Sequence, residues 1–89
     1  MTPTEQTRQR VLQAISEEAD DFGAEHLTPA TELRADLYMS SSSRIALACA
    51  LEKEFGPLDD AAWAAITHLY ATCATVCDAV IRNTSKETA

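Results

Sequence analysis

Val11, Leu12, Ile15, Ala19 and Phe22 recur at spacings of three and four, which lines one face of an α-helix with apolar side chains. The pattern returns in three later segments, so the chain has several apolar stripes to bury. Helices packed on helices are the arrangement that buries them. Only 2 glycines and 3 prolines interrupt the 89 residues, while alanine, leucine and glutamate fill the periodic stretches. Such residues favour helix over strand. The expected fold is all-α: a four-helix bundle of three longer helices and one short, with a long first loop crossing one end. Hydrophobic residues make up 46% of the chain, enough for one core in a single small domain spanning 1–83.

Punctuation sets the element boundaries. Thr2 or Thr4 caps the first helix, Pro3 fits its first turn, and Gly23 ends it. Glu17, Glu18, Asp20 and Asp21 fall late in that helix, where the macrodipole disfavours them. From Ala24 to Leu37 the period is lost, and a long ordered loop pinned by Leu27, Leu33 and Leu37 is expected. A loop of that length in so small a domain is usually functional. The second helix begins within the serines Ser40–Ser43 and runs to Phe55, where Gly56-Pro57 stops it.

Its buried stripe reads as Ile45, Leu47, Ala48, Leu51 and Phe55, with Arg44, Glu52 and Lys53 towards solvent. Asp59 or Asp60 caps a third segment, "DAAWAAITHLYATCA", placing Trp63, Ile66, Leu69 and Tyr70 on the core. Thr75 caps a short final helix, "VCDAVIRN", with Val76, Ala79 and Val80 inward. Residues 84–89 read as a frayed polar tail. The small Ala46, Ala48, Cys49 and Ala50 oppose "AAWAAI", a pairing that allows close helix approach in preference to a ligand pocket.

Charge narrows the function classes. The formal net charge is −7 with no basic cluster, which argues against nucleic acid and against anionic membrane surfaces and suits basic protein partners. No apolar run reaches the roughly 18–20 residues of a membrane span, and no charged-then-apolar leader opens the chain. A cytoplasmic protein is expected. Cys49, Cys73 and Cys77 are an odd set without CxxC spacing, so they read as small buried hydrophobes before metal ligands. His68 lies roughly 140° round a helix from Cys73, and neither His26 nor His68 has a paired acid or nucleophile at readable spacing.

Chemistry concentrates instead in "DLYMSSSSRIALACALEKEFG", Asp36 to Gly56. This stretch resembles the central segment of acyl carrier proteins, where Asp-Leu-Gly-x-Asp-Ser-Leu leads into a helix ending in Ala-Leu-Glu-x-Glu-Phe. Counted back from "ALEKEF", the family's modified serine falls on Ser41, and Asp36-Leu37 opens the motif. Upstream, "VLQAISEEADDFGAEHLTPATELRADL" is similar to the family's first helix and loop. Downstream, "ATVCDAVIRN" is similar to its final Thr-Val-x-Asp-Ala-Val helix. The chain departs at Tyr38, Ser40 and Ser42, which stand where the family carries Gly, Asp and Leu, and at Ala46, which replaces an acidic residue. The connection after Phe55 is also longer than in typical members.

The resemblance implies an acyl-carrier-type bundle and a monomeric, non-enzymatic carrier. Its acyl intermediates would be thioesters on a 4′-phosphopantetheine arm attached to Ser41, in fatty-acid, polyketide or specialised lipid synthesis. The implied partners are a phosphopantetheinyl transferase and acyl-processing enzymes (a synthase or an acyltransferase). They would dock over Tyr38, Met39, Ser40, Ser42, Arg44 and Ile45. The residues themselves agree, because a serine at a helix N-terminus has N–H groups and a dipole that favour phosphate oxygens. Two other readings compete. One is an unmodified carrier-fold interaction module docking an enzyme through its second helix. The other is an independent small enzyme, for which no catalytic constellation is readable.

Overall fold

The computed structural model describes residues 2–19 and 22–88, with side chains described to Thr84. Among these residues the secondary structure is helical: α1 (Pro3–Glu18), α2 (Ser41–Phe55), α3 (Asp60–Thr67) and α4 (Cys73–Thr88), with a 3-10 turn at Ala24–His26. α1 packs on α4 and α2, and α3 packs on the same two helices. Val11 and Ile15 of α1, Leu47 and Leu51 of α2, Ile66 of α3, and Val76 and Val80 of α4 are completely buried. Leu33 and Leu37 join them from the long loop, so one core serves the described residues. The expected all-α bundle stands.

α1 opens on Thr2, whose hydroxyl accepts the Glu5 N–H, with Pro3 as the first helical residue. The helix ends at Glu18 rather than Gly23. The Ser16 hydroxyl donates to the Phe22 carbonyl, and Phe22 is exposed instead of extending the apolar face. Asp20 and Asp21 lie outside the described residues. Arg10 braces α1 to α2: it pairs with Glu54 at 2.9 Å and stacks over the Phe55 ring at 4.5 Å.

α2 starts and stops where the serines and Gly56 predict, but its face is turned. Arg44 is buried and Ile45 is about half exposed, the reverse of the expected assignment. Helical geometry explains this, because Arg44 lies roughly 20° from Leu51 around the axis and Ile45 roughly 120° away. Angular position outweighed polarity. Glu52, expected towards solvent, is half-buried and accepts the Leu58 N–H and the Trp63 indole N–H, joining α2 to α3.

The third and fourth segments divide differently from expectation. Asp59 caps α3 through the Ala62 N–H at 2.8 Å, and α3 is the short helix, ending at Thr67. There the Thr67 hydroxyl donates to the Trp63 carbonyl and the His68 ring accepts the Tyr70 N–H, so local side chains compete with the helical ladder. Leu69 and Tyr70 sit in the resulting turn and are exposed, not core. α4 is a long helix that begins at Cys73, with Thr72 before it and Thr75 inside its first turn. Its backbone continues as helix through residues expected as a tail, to Thr88; Ala89 lies outside the described residues.

The long loop holds this start in place. Leu33 donates to the Ala71 carbonyl, while Cys73 and Ala74 donate to the carbonyls of Thr31 and Pro29. Ala46 and Cys49 face solvent, and Ala48 and Ala62 are buried, so the small residues of α2 and α3 serve close approach.

Candidate functional site

Three of the four serines have distinct places. Ser40 is extended and precedes α2, and its hydroxyl oxygen accepts the Ser43 N–H at 3.1 Å. Its hydroxyl also donates to Ser43 Oγ at 3.2 Å. Ser41 is the first helical residue and is exposed, as is Ser42. Helix geometry leaves the N–H groups of Ser41 and Ser42 without intrahelical acceptors, at the positive end of the helix dipole. An oxyanion attached to Ser41 Oγ would meet N–H donors and a favourable field there. Chemically, the arrangement is an exposed hydroxyl beside free helix N-terminal N–H groups.

Asp36 and Leu37 prepare this end. The Asp36 carboxylate accepts the Glu32 N–H at 2.8 Å, and the N–H groups of Asp36 and Leu37 both donate to the Glu32 carbonyl. Leu37 is buried by the turn they close, and the Met39 N–H then donates to the Leu33 carbonyl. Between them Tyr38 adopts a φ of 57°, the left-handed region that costs an L-residue about 1–2 kcal/mol. Its side chain is 88% exposed. The residue stands where the resembled family carries a glycine.

The expected docking set separates into two groups. Tyr38, Ser40, Ser42 and Ile45 are exposed around Ser41. Met39 and Arg44 are not available to a partner, being 3% and 5% exposed. Met39 is drawn inward by the backbone bond to Leu33. Arg44 turns back under the loop: its Nη1 donates to the Met39 carbonyl at 2.8 Å, and its Nη2 is 3.5 Å from Ser41 Oγ. The buried Nε of Arg44 has no hydrogen-bond partner. Reading Arg44 as a surface charge missed this feature. The i, i+3/i+4 series through Leu47, Ala48 and Leu51 already marked it as core-facing.

The sulfur and imidazole groups lie apart from the serines. Cys73 and Cys77 are buried, and burial pushes both thiols up to about 11 from an ordinary 9.0. With Leu12, Leu27 and Pro29 they line a small cleft of about 40 Å³ between α1, the loop and α4. Cys49, expected to be buried like the other two, is exposed on α2. Among the described residues no three His, Cys, Asp or Glu side chains gather as metal ligands. His26 is exposed beside Glu25, and His68 serves its own turn. No described helix is long and apolar enough to cross a membrane.

Set against family models, curated proteins and solved structures, the chain matches none of them.

Proposed function

We propose that this chain is an acyl carrier protein whose Ser41 hydroxyl receives a 4′-phosphopantetheine arm, in fatty-acid, polyketide or specialised lipid synthesis. The observation that carries the reading is Ser41 itself: an exposed hydroxyl at the first residue of a 15-residue helix in a four-helix bundle. The left-handed Tyr38 supports it, because that backbone suits the glycine of the resembled motif. The arm supplies a terminal thiol that holds acyl groups as thioesters.

The chain's own part is to present a nucleophile. Ser41 Oγ forms the new bond to the pantetheine phosphorus of coenzyme A, and the pyrophosphate P–O bond breaks. Adenosine 3′,5′-bisphosphate departs, and the hydroxyl proton passes to a base of the transferase. The free N–H groups of Ser41 and Ser42 would then offer donors to the phosphodiester oxygens. Tyr38, Ser40, Ser42 and Ile45 form the surface that the transferase and acyl-processing enzymes cover.

The test is incubation with coenzyme A and a broad-specificity transferase, read by intact mass. The chain should gain one phosphopantetheine, Ser41→Ala none, and Ser40→Ala or Ser43→Ala one. Restoring carboxylates with Ser40→Asp and Ala46→Glu should speed the reaction by up to about tenfold, since surface charge contacts contribute under ~1 kcal/mol each. Labelling that survives Ser41→Ala would overturn the site. A second reading, an unmodified module that docks an enzyme, is favoured by the exposed Tyr38 and Ile45, which offer apolar contact without any arm. Failure to label with every transferase tried, including that of the source organism, would select it.

A further inference from the structure

Arg44 is electrostatically incomplete. It is a guanidinium 5% exposed, in the first turn of α2, where the helix dipole already disfavours a cation. That turn carries no acidic residue, and neither of the ion pairs among the described residues includes Arg44. A buried cation without a counter-charge is costly to keep.

Its hydrogen bonds are equally one-sided. Nη1 is satisfied by the Met39 carbonyl at 2.8 Å. Nη2 is 3.5 Å from Ser41 Oγ, at the outer limit of hydrogen bonding, and Nε has no partner. Nε and Nη2 share one edge of the planar group, the edge that takes two oxygens of a carboxylate or phosphate side-on. The under-used edge is therefore the one next to Ser41.

We propose that Arg44 is a clamp for a phosphate ester on Ser41 Oγ, with two phosphoryl oxygens accepting from Nε and Nη2 while Nη1 stays on the Met39 carbonyl. The clamp requires the phosphoryl group on Ser41 Oγ, which lies 3.5 Å from Nη2, to reach the edge that carries the buried Nε. Arg44 is a positioning residue: it fixes the root of whatever Ser41 carries against the first turn of α2.

Two sources share this chemistry. One is the phosphodiester of the pantetheine arm, for which the inference rests on the carrier reading. The other is a phosphomonoester, in which Ser41 Oγ takes the γ-phosphoryl of a nucleoside triphosphate. The diphosphate then leaves, and the hydroxyl proton passes to the kinase. A separate arm of the test addresses each.

The experiment uses the full chain with ¹⁵N-labelled arginine. One sample carries phosphoserine at position 41, introduced during synthesis so that no transferase is involved. A second carries phosphopantetheine added enzymatically. The Arg44 Nε–H resonance should move downfield in both, and its exchange with water should slow about tenfold or more as a charge-assisted bond forms. The unfolding midpoint in urea should rise on phosphorylation, and this rise should vanish in Arg44→Gln. Arg44→Lys, a point charge without the fork, should restore part of it.

An unchanged Nε–H signal in the phosphoserine sample overturns the clamp, and that reading needs no variant to fold. Equal midpoint shifts in the native chain and Arg44→Gln overturn it as well. A response to phosphoserine alone supports the clamp for a monoester and overturns it for the arm. Failure to load the arm counts against the carrier reading while the phosphoserine sample still decides the clamp.

Discussion

α2 and α4 begin with the same device and come out differently. In each, the hydroxyl of the residue before the helix accepts the N–H three positions on, Ser43 to Ser40 at 3.1 Å and Thr75 to Thr72 at 3.2 Å. In each, the hydroxyl oxygen of the residue three positions on also accepts, Ser43 Oγ from the Ser40 hydroxyl and Thr75 Oγ1 from the Thr72 N–H. At α4 the remaining N–H groups of the first turn are consumed by the long loop, through the carbonyls of Thr31 and Pro29. At α2 the first turn opens on exposed serines, with a buried guanidinium behind it. A cap motif says where a helix begins. Whether that end is available for chemistry depends on what the rest of the chain lays over it.

Leu33 is where the comparison breaks most severely, because it serves both starts. Its N–H donates to the Ala71 carbonyl before α4, its carbonyl accepts the Met39 N–H before α2, and its side chain is fully buried. Leu33→Ala should cost about 2–5 kcal/mol in urea unfolding. Hydrogen exchange should quicken in the first turns of α2 and α4 together. Loosening of one start alone would show that the loop does not couple them.

Alkaline pH should act on the closed start and spare the open one. Burial raises the Cys73 thiol from 9.0 to about 11, with Cys77 and then Asp36 adding to the rise. Cys77 is raised as far by burial, against a partial lowering by Arg8. A folded-state value above the unfolded one means the contribution is intact below pH 9. It is lost as pH climbs from 9 through about 11. The urea midpoint should therefore be flat up to pH 9 on this account and fall above it, and Cys73→Ala with Cys77→Ala should remove that fall. At pH 8 a thiol reagent should label the exposed Cys49 first.

The caps themselves give a smaller, matched pair. Ser40→Ala and Thr72→Ala should each cost about 1 kcal/mol in thermal or urea unfolding. Thr72→Ala should be the milder in hydrogen exchange, since Cys73 and Ala74 keep their loop acceptors. The smallest effect is expected at Tyr38. Tyr38→Gly relieves the left-handed backbone but frees the unfolded chain, and should stabilise by less than about 1 kcal/mol. It should slow modification if the exposed ring contacts the transferase.

Much of this molecule was determined locally. Apolar spacing and the shortage of glycine and proline specify an all-helical bundle, because a stripe at helical period has no other way to leave water. Thr2, Asp59 and the serine run mark helix starts through side chains that reach their own first turns, so those signals lie within a few residues. The candidate hydroxyl, Ser41, is singled out among the four serines by the resemblance, through its spacing to "ALEKEF", and not by a cap signal. Other boundaries were not legible, because their partners are remote in sequence. α4 begins at Cys73 and not after Thr75 because carbonyls of the long loop supply its first acceptors, and α3 stops at Thr67 as the chain turns to meet them. Arg44 shows the limit most clearly. Its polarity points to solvent and its place on α2 points to the core. Angular position on α2 turned it inward, and only the folded loop, bringing the Met39 carbonyl over that position, supplied the acceptor with which a buried guanidinium persists.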